Sequence, residues 1–519
     1  MCDDRPVNLA GRRTLLAAAA GAIAAAVSLG LSELIAGLVP GAPSLLVSVG
    51  QTIIDLQPPG AKDVVVGLFG ENDKLALEIL VVTVAAVLAA GLGVVALRSF
   101  RAASAGFVLA GVVGAVCALR DPGNDVVLTL VAATIATAAG LQALTWLIAT
   151  LVPGPAPRRS PAAMPDWSRR GFLTRSGALL AGAVAAGVVG RAMLNGQRRS
   201  ADLAVTKLPR PGRTASLPAG NALAVDGLST IVVPNARFYR IDTALLAPNV
   251  DLASWRLRVY GLVDREVSLT FDELVALGTF EQYVTIACVS NEVGGNLVGN
   301  AKWTGVPLRT VLDMAGVQPQ ATQLVGRSVD RWTAGMPTAW IMDKGREPMI
   351  AVAMNDEPLP IVHGFPARLI VPGLYGYVSA TKWLTELQLT TLEAFDAYWV
   401  PLGWSKEAPI LTQSRIDVPR SGAGVNAGRT VIAGVAWAPD RGISRVEVAV
   451  DGAWRDATLS NPISPATWVQ WRADWDAASG SHTIMVRATD GRGEVQAERE
   501  TPPAPDGARG FHTISVSVA

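Results

Sequence analysis

Cysteine, histidine and charge are all scarce in this chain, and each scarcity excludes a class of protein. Its 519 residues hold three cysteines, Cys2, Cys117 and Cys288. So sparse and odd a set does not form a disulfide framework. The chain carries no Cys-x-x-Cys-His haem attachment and no cysteine set for an iron–sulfur cluster. The histidines are His363, His482 and His512, all outside the apolar N-terminal region, so haem ligation among its helices is not expected. Charged residues make up 17% and the formal net charge is +1, which gives no general electrostatic case for a nucleic-acid partner. A phosphate-binding glycine loop is also missing.

Long apolar runs, by contrast, are abundant before about residue 200. They fall at roughly 14–36, 76–97, 103–119, 125–151 and 174–194. Each approaches the ~20 residues that a membrane-spanning helix needs. The stretch 44–56 is interrupted by Gln51 and Asp55 and followed by Pro58-Pro59, and reads as a loop or an interfacial segment. Arg5, Arg12 and Arg13 precede the first run, Arg98 and Arg101 separate the second and third, and Arg158, Arg159, Arg169 and Arg170 separate the fourth and fifth. The opposite connections hold Lys62, Lys74 and Arg120 beside Asp63, Glu71, Asp73, Asp121 and Asp125. Excess Arg marks the cytoplasmic side. The pattern predicts a multi-pass cell-membrane protein with a cytoplasmic N-terminus and an extracytoplasmic remainder. Ionisable residues are few within the runs, which favours an anchor over a transporter. The fifth run is flanked by Ser168-Arg-Arg-Gly-Phe-Leu173, and 168–194 resembles a twin-arginine export signal. Such a route suits a domain that crosses the membrane already folded around a cofactor.

Past residue 200 the composition becomes that of a soluble protein. Residues 195–234, rich in Arg, Pro and Gly, read as a linker. Alternation of Trp255, Leu257 and Val259 predicts a strand, Thr270 with Glu273 a capping box, Val306–Ala315 a short amphipathic helix, and Ala367–Pro372 a strand. The region to about 425 is therefore α+β, without a parallel-sheet repeat. Beyond it Val446, Val448 and Val450 alternate, as do Val469, Trp471, Ala473 and Trp475, then Ile484, Val486 and Ala488, then Ile514, Val516 and Val518. With turns at Asp451-Gly452 and Asp490-Gly491 this predicts an immunoglobulin-like sandwich. The expected domains are a transmembrane anchor over 1–200, an α+β domain over 201–425 and a β-sandwich over 426–519.

Cys288 ends the strand-like run Val284-Thr-Ile-Ala-Cys288. The polar, glycine-rich stretch Val289-Ser-Asn-Glu-Val-Gly-Gly295 follows it, and Trp303-Thr-Gly-Val-Pro-Leu308 lies beyond. Taken alone, Cys288 reads better as a buried structural thiol than as a ligand. Together with Asn291 and the Trp303 segment, the stretch resembles the cysteine motif of the sulfite oxidase and molybdopterin-binding oxidoreductase family. A second block, His363-Gly-Phe-Pro-Ala-Arg368 through to Thr381-Lys-Trp383, resembles that family's cofactor-cradling segment. Pro234-Asn-Ala-Arg-Phe-Tyr-Arg240 resembles its N-terminal cofactor contact, and Gly326-Arg-Ser328 falls where a further pterin contact is found.

The resemblance implies a molybdenum–molybdopterin cofactor with Cys288 as catalytic residue and protein thiolate ligand. It implies cofactor contacts from Asn235, Phe238, Tyr239, Arg240, Ser328, His363, Arg368, Ser379, Thr381 and Lys382. A soft thiolate suits the metal, while Arg and Lys suit an anionic phosphate. It also implies oxygen-atom transfer on a small-molecule substrate. The electrons would go to or come from an external cytochrome or quinone system, and the sandwich is expected to pair two chains as a homodimer. Glu292 departs from the arginines that follow the cysteine in animal and plant sulfite oxidases, and the spacing from Arg368 to Lys382 is one residue longer than the resemblance leads one to expect. A carboxylate there repels an anion such as sulfite. The reading from a different class is a non-catalytic surface binding or assembly protein on a degenerate oxidoreductase domain.

Overall fold

The computed structural model describes residues 9–58, 68–69, 73–121, 124–151, 166–202 and 208–519. Cys2, Arg5, Lys62, Asp63, Glu71, Arg158 and Arg159 lie outside the described residues. The chain divides into two compact units, residues 1–200 with Thr243–Leu246, and Ala201–Asp242 with Ala247–Ala519.

The first unit is helical. Its helices are α1 (Leu9–Leu38), α2 (Leu45–Asp55), α3 (Asp73–Ala96), α4 (Phe100–Leu119), α5 (Val126–Ala149) and α6 (Asp166–Asp202). Among the described residues, five helices are long and apolar enough to cross a membrane, within 11–38, 73–96, 100–119, 126–149 and 170–196. They coincide with the five apolar runs and are consistent with a membrane protein. The segment 44–56 is not a loop. Ser44 accepts from Val47 N and caps α2, whose 11 residues are too few to span. Cys117 is half-buried on α4.

Small residues bring the helices together, as expected where lipid removes the usual hydrophobic drive for association. A Cβ added at Gly93 would lie 2.0 Å from Ala17 O, and one at Gly21 only 1.9 Å from Ala89 O, so α1 and α3 touch backbone to backbone. On α6, a Cβ at Gly190 would lie 2.3 Å from Glu33 O. That close approach sets Arg191 against Glu33, with Nη1 3.4 Å from Oε2, and against Glu78 of α3. Ser44 also donates to Glu33. Glu33, Glu78 and Arg191, from three different helices, are thus gathered into one paired group.

The second unit carries the sheets. Its strands are β1 (Arg256–Gly261), β2 (Val267–Thr270), β3 (Phe280–Ala287), β4 (Val298–Pro307), β5 (Gln323–Ser328), β6 (Thr333–Pro337), β7 (Met349–Met354), β8 (Glu357–Pro358), β9 (Arg368–Ile370) and β10 (Leu384–Thr390). One sheet has the order β2-β1-β10-β5-β6 and another β3-β4-β7-β8, with β9 paired to β7. In these two sheets only β1 and β10 pair in parallel, so no parallel repeat exists. Trp255, Leu257 and Val259 are buried together, and Thr270 and Glu273 form the capping box of the helix Phe271–Ala276. The helix read over Val306–Ala315 starts later, at Leu308. Val306 and Pro307 instead pair with Ile350 and Met349 at the end of β4.

The rest of the unit is a β-sandwich of β11 (Gln413–Val418), β12 (Gly424–Val425), β13 (Gly428–Trp437), β14 (Ile443–Val450), β15 (Ala453–Asp456), β16 (Thr458–Leu459), β17 (Val469–Ala477), β18 (Gly480–Asp490) and β19 (His512–Val518). Its sheets run β11-β13-β17-β16 and β12-β19-β18-β14-β15. The alternating apolar residues of β14, β17, β18 and β19 form one core cluster between them. Asp451 and Gly452 take φ of 52° and 84°, as the tight β14–β15 turn demands.

Candidate cofactor site

The β3–β4 hairpin positions Cys288. β3 ends at Ala287, and Cys288 N donates to Leu297 O at 2.9 Å, closing the intervening residues into a loop. Asn291 holds that loop from inside, since its N donates to Cys288 O and its Oδ1 accepts from Leu297 N at 2.7 Å. Cys288 is buried and free. Glu292, four residues further on, is exposed. The loop is also gripped by the sandwich. Arg415 Nη1 donates to Gly295 O at 2.7 Å while its Nε holds Asp417. Gly294 has φ +76°, and a Cβ there would fall 2.3 Å from the His512 ring. Glycine supplies both the backbone angle and the room.

The second part of the site is cationic. Arg368 starts β9 only 3% exposed, and Nη1 donates to His363 O at 3.0 Å. Its Nε is buried without a partner, and among the described residues no carboxylate pairs with it. Burial pulls its pKa down to about 10. Lys382 Nζ donates to Asp242 Oδ2 at 2.9 Å, and Arg240 Nε meets the same oxygen at 2.9 Å. Burial, opposed by Asp242, lowers Lys382 to about 8. His363 is 2% exposed and its Nε2 donates to Asn235 O at 3.0 Å. Burial first, with Lys382 and Arg368 adding, lowers it to about 4, so its ring is neutral at pH 7. Gly364, at φ +115°, lets the chain pass Lys382 and Arg368. A Cβ there would lie 3.0 Å from Lys382 Cα and 3.1 Å from Arg368 Cβ.

An aromatic group joins the two parts. Tyr239 lies within electrostatic reach of both Cys288 and Arg368, and burial followed by Cys288 raises its hydroxyl far above the usual range. Phe238 stacks on Tyr239 at 5.2 Å and meets Trp303 and His363 edge-on at 6.0 and 5.7 Å. Trp303 is fully buried, with the Arg368 guanidinium 5.1 Å from its ring centre.

The structure thus brings Phe238, Tyr239, Arg240, His363, Arg368 and Lys382 into one linked group, with Cys288 reached through Tyr239. Asn235 joins through its backbone oxygen, because its side-chain amide is committed to Met354 O and Glu357. Ser328 pairs with Leu384 at the end of β5, and its buried hydroxyl has no partner. Thr381 donates to Gly326 O at 3.4 Å, and Ser379 spends its hydroxyl on Leu374 O and Tyr375 O. Asp242, Tyr375, Arg415 and His512 were not singled out by the sequence. Asp242 could have been found from its place two residues after Arg240. Arg415 and His512 offer no local signal, since they meet the cysteine loop from more than a hundred residues away. Among the described residues no cluster of three or more His, Cys, Asp or Glu could hold a metal by itself.

A buried arginine without a counter-charge, two orphaned polar atoms and a buried free thiol are a set that would suit an anionic cofactor and its metal. A family model described as "Oxidoreductase molybdopterin binding domain" matches residues 244–399, and one described as "Bacterial Ig domain" matches 413–486. An uncharacterized oxidoreductase of Bacillus subtilis, YuiH, is 34% identical over 154 residues, 30% of this chain and 74% of that protein. The chain belongs to the molybdopterin-binding oxidoreductase family, whose cofactor is molybdenum–molybdopterin. Rat mitochondrial sulfite oxidase is 30% identical over 321 residues, covering 52% of this chain, which spans only 58% of the rat protein's length. The crystal structure of the sulfane dehydrogenase SoxCD from Paracoccus pantotrophus is similar at 24% identity and a TM-score of 0.48, over 55% of this chain and 81% of that one. The residues present fit the cofactor. The spare Arg368 Nε and Ser328 Oγ are a donor set for an anion, and Cys288 is free for a metal.

Proposed function

We propose that this chain is a membrane-anchored molybdenum-cofactor oxidoreductase with an extracytoplasmic catalytic domain, acting by oxygen-atom transfer on a small molecule. The observation that carries the reading is Arg368. A buried guanidinium without a carboxylate is costly in any fold, and an anionic cofactor beside Cys288 offsets that cost. When bound, molybdenum–molybdopterin supplies two-electron oxygen-atom transfer. Cys288 would hold the metal through its thiolate, and Arg368 and Lys382 the anionic end of the pterin. The neutral His363 ring keeps Asn235 and the aromatic group in place without adding charge. Phe238 and Trp303 exclude water beneath them. Tyr239 keeps its proton at all working pH values and remains a hydrogen-bond donor.

Glu292 is exposed on the cysteine loop and disfavours sulfite relative to a neutral substrate such as a sulfoxide. Electrons would pass to or from an external cytochrome or quinone system. The sandwich would pair two chains, the five helices would cross the cell membrane from a cytoplasmic N-terminus, and 168–194 would direct twin-arginine export. Protein made in a host that synthesises the cofactor is expected to carry about one molybdenum per chain. Cys288→Ser should abolish turnover of sulfite and of a sulfoxide panel with an artificial mediator. Metal analysis that finds no molybdenum would overturn the reading.

A further inference from the structure

We propose that the unit carrying the sheets has a second anion site, remote from Cys288, that takes a small doubly charged oxyanion of the sulfate or phosphate kind. A cleft of about 480 Å³ opens at the start of β3, walled by Arg213, Arg309, Lys344, Arg346 and Glu347. β3 is 8 residues long, with Phe280 in the cleft wall at one end and Cys288 just past the other. At the usual rise that separates them by about 26 Å, roughly three Debye lengths at physiological salt. The cleft is therefore a separate place from Cys288.

Its charges are unevenly satisfied. Arg346 is stacked 3.9 Å over Trp340 and paired with Asp343 and with Asp440 at 2.5 Å. It forms a fixed wall and is not a free cation. Arg213 makes a bidentate pair with Glu347 at 2.9 and 2.8 Å, and both are more than half exposed, so that pair is weak and exchangeable. Arg309 gives one N–H to Met342 O. Neither Arg309 nor Lys344 has a carboxylate partner among the described residues. Behind the wall, the Thr279 hydroxyl and Arg346 Nε are both buried without partners. Two unpaired cations, a third on an exchangeable pair and spare donors behind them suit a compact, multiply charged acceptor. The guanidinium forks match the oxygens of a tetrahedral ion.

Isothermal titration of the full-length protein in detergent at low ionic strength tests this, with sodium sulfate and sodium phosphate as separate titrants. One site per chain is expected for one or both ions. Lys344→Glu and Arg309→Gln should each weaken it by about tenfold or more. Glu347→Gln, which frees Arg213, should tighten it by about threefold. Lys344 and Glu347 are both exposed, so their variants do not threaten folding. Arg368→Met, which removes the spare donor of the cofactor site, should leave the affinity unchanged. The proposal is overturned if neither ion binds, or if the Lys344 and Glu347 variants match the parent. It also fails if Arg368→Met abolishes binding, which would assign the ion to the cofactor site. Binding of an acidic peptide but of neither ion would likewise overturn it.

Discussion

On the proposed function, Arg368 is a side chain unfavourable for the empty fold and favourable for the loaded one. Its charge is buried with one carbonyl at 3.0 Å and a second at 3.5 Å, and its Nε is idle. Removing an uncompensated buried charge costs the empty protein little. Arg368→Met is expected to leave the unfolding free energy of cofactor-free protein within about 1 kcal/mol of the parent. The same change should lower cofactor affinity by about tenfold to a hundredfold, read as pterin released per chain after gel filtration. A parallel loss of apo stability of several kcal/mol would show that Arg368 is structural. Lys382 adds a pH signature. Its amine sits at about 8 in the empty site, below the ordinary lysine value. An anion beside it raises that value, so binding takes up a proton above pH 8. Cofactor affinity should be full below pH 8 and fall as pH rises beyond it. Lys382→Arg, which does not titrate in this range, should remove the decline in a fluorescence titration with the isolated pterin.

At the scale of elements, the helical unit depends on faces of small residues more than on apolar bulk. Gly93 and Gly91 share α3 but face different surroundings. A Cβ at Gly93 collides with Ala17 O, whereas one at Gly91 meets nothing within 4 Å. Gly93→Leu is expected to destabilise the unit by about 2 kcal/mol or more, and Gly91→Leu to be nearly neutral. Denaturant unfolding in micelles, followed by helical circular dichroism, checks the pair, and equal effects would refute the packing argument. The sequence showed where the candidate spans are, because apolar length is a local property. It did not show which faces meet, nor that α2 is helical, because Gln51 and Asp55 look like interruptions until one sees that Gln51 donates to Asp55 one turn on and accepts from Leu245 N. The capping box at Thr270 and the sandwich strands were legible for the same reason as the spans, since their signals lie within a few residues. The start of the helix at Leu308 was not legible, because β7 claims Val306 and Pro307 from a distance.

For the whole molecule, acid sensitivity follows from the imidazoles buried in the second unit. His363 titrates near 4 when folded and near 6.5 when unfolded, so the unfolded chain binds the proton first. Stability is then full above about pH 6.5 and is lost as pH falls toward 4, by about 3 kcal/mol for this group. His512, also lowered by burial, acts in the same direction. His363→Gln can keep a hydrogen bond to Asn235 O and should flatten the decline of the unfolding midpoint between pH 6.5 and 4 without removing the His512 part. An unchanged slope would mean that the His363 ring is solvated. The cysteine and the cationic block were legible as motifs, each confined to a short stretch. Their connection through Tyr239 was not, because it joins separate segments of chain.

The grip of Arg415 and His512 on the cysteine loop bears on how such a chain can be recombined. The two residues come from the sandwich, yet they touch the backbone of the loop that follows Cys288. A sandwich grafted from another protein would fit the sheets by shape and still leave Gly294 and Gly295 unsupported unless it brought an arginine and a ring to the same two places. Modules that look interchangeable in a domain diagram are therefore inherited together here, and a tolerated graft should be one that carries both side chains with it.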